Sequence, residues 1–265
     1  MRKDAFILTL TTFVLGIFGF FLRWLQNVNA FEPDTGLAIV GAATTTVYLF
    51  YTVAAVAVML AMVYLHIRRR YELAEKGGEA LVSSTVLHTA VLWLIAAVVV
   101  VTSLVLMFGS DFARFPTMQR VMSALGILAG LSIPFIIPRR KAEAEGAGGE
   151  GAGIAGTAAV IPILFGCLWM VTAYRVHSEN PVLWQYVIEV LAVVAVTMSF
   201  YYVAAWFYGK AKPHRCLVAV QIASYLCLGT LTDEHSTAEG VLFAAMAVLM
   251  LVFQFVIIEN AKKRE

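Results

Sequence analysis

VLHTAVLWLIAAVVVVTSLVLMF, residues 86–108, carries no Lys, Arg, Asp or Glu. A bilayer-spanning helix needs about 20 mostly apolar residues. In hydrocarbon every backbone polar group must be satisfied within a helix or a closed barrel, and barrel strands alternate apolar and polar side chains over about ten residues. This run does not alternate, so it reads as a membrane helix. Working outward, runs of the same kind cover 5–26, 37–65, 117–138, 157–176, 181–208, 215–232 and 239–259. The expected fold is all-α: a polytopic integral membrane helix bundle of eight transmembrane helices.

Composition agrees. Hydrophobic residues make up 61% of the chain and charged residues 14%, against about one quarter charged in a soluble domain. With 265 residues there is no room for a large soluble domain beside the spans. The net charge of +2 is small and the basic residues lie in short clusters between spans. That pattern is a topology signal, not a nucleic-acid footprint.

Arg2 and Lys3; Arg68, Arg69, Arg70 and Lys76; Arg139, Arg140 and Lys141; Lys210, Lys212 and Arg215; and Lys262, Lys263 and Arg264 all fall on one side of such a bundle. Only Arg23, Arg114, Arg120 and Arg175 fall on the other. The positive-inside rule then places both termini in the cytoplasm of a multi-pass cell-membrane protein. The first run resembles a signal peptide in its basic start, but its apolar length and Arg23 favour an uncleaved helix. Trp24 and Trp184 suit an outer aromatic belt and Trp206 an inner one. Cys167, Cys216 and Cys227 sit within apolar runs and form no metal-type pair, so helix packing explains them.

Residues 142–156 are rich in Gly, Ala and Glu and read as a flexible cytoplasmic linker between a first half, 1–141, and a second, 157–265. Equal four-span halves would form a 4+4 parallel repeat about an axis normal to the bilayer. Short matches such as Phe18-Gly19 with Phe165-Gly166 and Phe50-Tyr51 with Phe200-Tyr201 agree with this, as does the placing of His88 and His214.

Glu189 is the one acid well inside a span, within Val187-Ile188-Glu189-Val190-Leu191. A charge in hydrocarbon costs about 2.5 kcal/mol or more, so it marks a functional-site candidate. Asn180 and Pro181 read as the cap and first turn of its helix, which puts Glu189 about 12 Å along it, in the outer half. Gln185 lies one turn earlier and Tyr186 beside it. Span 2 offers Tyr48, Tyr51 and Thr52 near one face, with Thr44, and span 7 offers Gln221 and Tyr225, with Ser224. Arg23 and Arg175 end spans 1 and 5 on the same side. These residues form the candidate binding set, with spans 2, 6 and 7 lining one cavity around Glu189. The alternative is a structural pair of Glu189 with Arg23, Arg175, Thr or Tyr.

Gly126 and Gly130 have the small-residue spacing of close helix approach, and Pro134 and Pro162 predict bends. His177, Glu179, Asp233, Glu234, His235 and Glu239 share the outer side, but loop acids are normally solvated and no compact ligand pair exists, so no metal is assigned. There is no nucleophile elbow, P-loop or dinucleotide fingerprint. Neither a catalytic residue nor a cofactor follows from the sequence.

The first outer loop, Phe31-Glu32-Pro33-Asp34-Thr35-Gly36-Leu37 after Arg23-Trp24, reads as a turn leading into span 2. It resembles a group of small multi-pass bacterial membrane proteins with no assigned function. The resemblance covers about 15 residues and implies no activity.

The leading functional expectation is a small transporter or permease-like protein with a small-molecule or ion substrate and Glu189 as coupling or binding acid. The alternative is a non-catalytic membrane subunit or sensor that docks a partner subunit through a small-residue face, span 4 being the candidate. An intramembrane enzyme ranks third, because no second acid, His or nucleophile stands near Glu189 in sequence.

Overall fold

The computed structural model describes residues 3–32, 37–83, 85–109, 116–137, 150–177 and 182–264. Among them are eight long helices. They are α1 (Lys3–Asn29), α2 (Ala43–Ala61, continued by a π-helical stretch Met62–Ile67 and a last turn Arg68–Arg70), α3 (Val86–Phe108), α4 (Pro116–Ile136), α5 (Glu150–His177), α6 (Leu183–Phe207), α7 (Pro213–Thr230) and α8 (Thr237–Glu259). This is an all-α polytopic membrane bundle. Seven of the helices, all but α7, are long and apolar enough to cross a bilayer.

The exception has a physical reason. Helix α7 carries His214 and Arg215 in its first turn and Gln221, Ser224 and Tyr225 within. Cys216, Leu217, Val220, Gln221 and every residue of Ala223–Thr230 are buried. A helix wrapped by its neighbours needs no apolar exterior. Helices α1 and α2 are the opposite case. They turn Phe6, Phe13, Phe18, Phe21 and Phe50 outward, an apolar surface far larger than a water-soluble monomer exposes.

Helices α3, α4, α5, α6, α7 and α8 pack in that order and α8 returns to α3, closing a ring. Helix α1 lies against α7 and α8, and α2 against α1 and α7. Aromatic side chains fill the ring: Phe165 and Trp169 at 5.4 Å between ring centres, Trp169 and Phe243 at 4.7 Å, and Phe200 and Phe253 at 5.9 Å. In this arrangement α6 packs along α7, whereas α2 and α3, their counterparts in the first half, make little contact. Helices α4 and α5, which flank the linker, pack closely.

Several boundaries move from their sequence expectations. Helix α2 starts at Ala43, not 37, because the chain first bridges Phe31 to Ala38 and then turns at Gly41, whose φ of 78° suits glycine. Residues 150–156 of the expected linker belong to α5; 142–149 lie outside the described residues. Helix α6 starts at Leu183; Asn180 and Pro181 lie outside the described residues, as do 33–36 of the first outer loop. Helix α6 ends in a Schellman motif, with Gly209 at φ 70°, Lys210 N donating to Ala205 O and Gly209 N to Trp206 O. Helix α8 opens with a capping box between Ser236 and Glu239. Helices α4 and α5 run through Pro134 and Pro162 without a break in helical assignment.

One end of the bundle is clamped. Strand β1 (Tyr71–Glu72) pairs antiparallel with β2 (Lys262–Lys263). The Tyr71 hydroxyl donates to the Asp4 carboxylate, and Asn260 Nδ2 donates to Ala80 O and Val82 O at 3.0 and 2.9 Å. Trp206 is buried and donates from Nε1 to Ala74 O at 3.1 Å. It anchors this loop and is not a belt residue, a role that needs the loop folded over it. Trp24 is half exposed, as a belt residue should be. The three cysteines are free.

Candidate functional site

At the opposite end, the connection between α7 and α8 folds into the bundle instead of standing in solvent. Its Asp233 meets Arg23 of α1, with Nε to Oδ1 at 2.8 Å and both side chains almost fully buried. Arg23 Nη1 donates to Gln26 Oε1 at 2.8 Å, Nη2 to Gln185 O at 3.4 Å, and the guanidinium lies 5.8 Å from the centre of the Tyr48 ring. Asp233 also accepts from Asn27 Nδ2 at 3.0 Å and from Thr230 Oγ1 at 3.0 Å. A buried carboxylate with these donors and a guanidinium beside it is well compensated.

His235 sits two residues further on. Its Nε2 is 2.9 Å from Thr230 O and 3.1 Å from Thr230 Oγ1. A carbonyl oxygen only accepts, so Nε2 carries hydrogen. In the neutral ring Nδ1 is then a bare lone pair, and it faces Glu189 Oε2 at 3.8 Å. Two lone pairs do not attract. The two groups attract as an ion pair only when the imidazole is protonated. The Glu239 carboxyl, held by the Ser236 amide and hydroxyl at 3.2 and 3.1 Å, lies within electrostatic range of Glu189. The ring of His235 rests 5.1 Å from that of Phe243, against the aromatic core.

The sequence candidates separate into layers. Glu189 and the Gln185 carbonyl join the Arg23 and His235 network. Tyr186 is half-buried on α6 and Arg175 is on the exposed face of α5. A second layer joins α1, α2 and α7: Thr52 Oγ1 and Tyr225 Oη are 2.9 Å apart, the rings of Tyr51 and Tyr225 are 6.5 Å apart, and Tyr51 Oη donates to Leu15 O at 2.9 Å. Tyr48 bridges the layers. Its hydroxyl lies where a Cβ on Gly229 would be 3.5 Å away, with Ile188 of α6 alongside. Helices α2, α6 and α7 therefore converge beside Glu189. Gln221 is buried one turn below Tyr225.

Asp233 and His235 escaped sequence reasoning as partners because a polar loop looks solvated. The available signal was Thr230, Thr232, Asp233, Glu234, His235 and Glu239 crowded at the end of a span level with Glu189. Among the described residues no group of His, Cys, Asp and Glu has the geometry to hold a metal ion. The small-residue face of α4 is not open to another chain. Gly126 packs on Ser103 and Phe165, and Gly130 on Val100 and Ala96. A groove of about 690 Å³ does open between α4 and α5, but Leu128, Leu131, Phe135, Ile154 and Ile161 make it apolar and it holds none of this chemistry.

Compared with protein-family models, with curated proteins and with solved structures, the chain matches none.

Proposed function

We propose that this membrane protein is a small permease-like carrier in which Glu189 and His235 jointly hold a proton that is exchanged during transport of a small molecule or ion. The observation that carries the reading is the buried juxtaposition of His235 Nδ1 and the Glu189 carboxyl at 3.8 Å. A buried titratable pair inside a membrane is the usual element of a proton relay. With both termini cytoplasmic, the pair stands in the outer half. A Gln at 189 keeps the shape of the side chain and removes its ionisable carboxyl.

The test is a thermal-shift series of detergent-purified protein and its Glu189→Gln variant across pH and a panel of ions and small solutes. The expected result is a pH- or solute-dependent stabilisation seen in the wild type and lost in the variant. If Gln merely lowers stability and neither pH nor any solute shifts either protein, the carrier reading fails. A second reading, a non-catalytic subunit or sensor with a structural clasp, then stands. It is favoured by one observation: Arg23, Asp233, His235 and Glu189 are all sealed from the surface.

A further inference from the structure

Buried side chains near the middle of the bundle carry polar atoms with no hydrogen-bonding partner among the described residues: Tyr48 Oη, Gln221 Oε1 and Nε2, Ser224 Oγ, and Gln254 Oε1. All four residues are at most 1% exposed. Leaving such an atom buried without a partner is costly, and proteins meet that cost with ordered water that makes about three hydrogen bonds.

Other buried polar atoms, such as Ser103 Oγ and Ser123 Oγ on α3 and α4, also lack a partner, but these five lie on α7 and on two helices packed against it, α2 and α8. Gln221, Ser224 and Tyr225 fall within about one turn of α7, on neighbouring positions of one face. Tyr48 is one turn from Thr52, which meets Tyr225. Tyr51 Oη on Leu15 O sets the depth of that layer on α1. Gln254 Nε2 reaches Thr12 Oγ1 at 3.0 Å and Leu8 O at 3.3 Å. Thr12 lies about 4.5 Å from Leu15 toward the clamped end, and Gln221 about 6 Å from Tyr225 in the same direction, at 1.5 Å per residue. Helices α1, α7 and α8 pack on one another, so the two glutamines share one depth in their common seam.

The chemistry of the set selects its ligand. It presents acceptor oxygens on both amides, a donor Nε2 on Gln221, and two hydroxyls that can do either. A cation would be repelled by the amide N–H and an anion by the carbonyl oxygens. A neutral molecule that donates and accepts satisfies all of them. We propose that this seam holds a file of ordered water, coordinated by Gln221, Gln254, Ser224 and Tyr48, running from below Arg23 toward the clamped end. As a hydrated site it is independent of the carrier reading. As the route by which a proton from Glu189 and His235 reaches the other face, it rests on that reading.

X-ray hydroxyl-radical footprinting in lipid nanodiscs tests it, since radicals form from water at the side chain they modify. The expected result is oxidation of Tyr225 several-fold faster than of Trp169, although both are buried. In a Gln221→Leu/Gln254→Leu double variant the Tyr225 rate falls to that of Trp169 while the thermal midpoint stays at or above wild type. The Glu189→Gln variant keeps the fast Tyr225 rate, so loss of the pH response and loss of hydration are read separately. A Tyr225 rate as slow as that of Trp169 in the wild type overturns the proposal. Fast labelling that persists in the folded double variant overturns it as well.

Discussion

Arg23 shows how strongly one residue can depend on a distant one. It is fully buried, and its ion-pair partner Asp233 is 210 positions away in sequence. Replacing Arg23 by Met leaves Asp233 buried without its guanidinium and should destabilise the protein by about 3–5 kcal/mol, whereas Arg23→Met with Asp233→Leu should recover most of that loss. Chemical denaturation of the single and double variants measures both; a double variant no more stable than the single would show that Arg23 acts mainly through Gln26 and Gln185. Glu189 stands out in the sequence as the one acid inside an apolar run, with a binding role and a structural pair both open. Its partner does not, because His235 lies in a polar turn, and only the folding of that turn into the bundle brings it to α6. Helical spacing puts Tyr48, Tyr51 and Thr52 near one face of α2, yet spacing along a helix cannot tell that Thr52 meets Tyr225 of α7 or which neighbour a hydroxyl faces.

Apolar length revealed the helices themselves, and the boundaries moved where a turn residue or a loop decided the matter. Gly41 delays α2, and the Gly209 motif ends α6. Small residues in α4 serve the internal seam. A Cβ on Gly130 would stand 2.8 Å from Val100 Cγ2 and 3.1 Å from Val100 N. Gly130→Val should therefore wedge α3 from α4 and cost about 1–3 kcal/mol, visible as a lower thermal midpoint. The sequence between α2 and α3 shows a basic cluster, but Leu73, Leu81 and Val82 are buried in this loop and Asn260 holds two of its carbonyls. No hydropathy signal marks such a cap, because its contacts are with the ends of other helices. Asn260→Ala removes both hydrogen bonds, worth about 1–2 kcal/mol, and should make cleavage by trypsin after the exposed Lys76 faster. An unchanged cleavage rate would mean that the ribbon alone holds the loop.

For the molecule as a whole, the ribbon settles a relation that charge counting only suggests. Asp4, Tyr71 and Lys263 meet at one end of the bundle, so the start of α1, the end of α2 and the end of α8 share a face. Single cysteines at Lys3 and Lys263, in a background with Cys167, Cys216 and Cys227 replaced by Ser, should behave alike toward an impermeant maleimide. Both should be protected in intact cells and react after lysis, if that face is cytoplasmic. Unequal labelling would contradict the bundle. The membrane class was legible from composition alone; the burial of α7 was not, since a helix lined by its own neighbours resembles a weak span. The clasp between Arg23 and Asp233 carries a further consequence for how such a chain is made. Helix α1 leaves the ribosome long before Asp233 exists, and an unpaired arginine in a span is costly, less so near a helix end such as Arg23 occupies. The nascent helix can therefore keep Arg23 snorkelled at the lipid headgroups until the turn after α7 supplies its partner. Translation order and burial order run in opposite directions, so a stalled or truncated chain leaves its earliest helix exposed for membrane quality control to find.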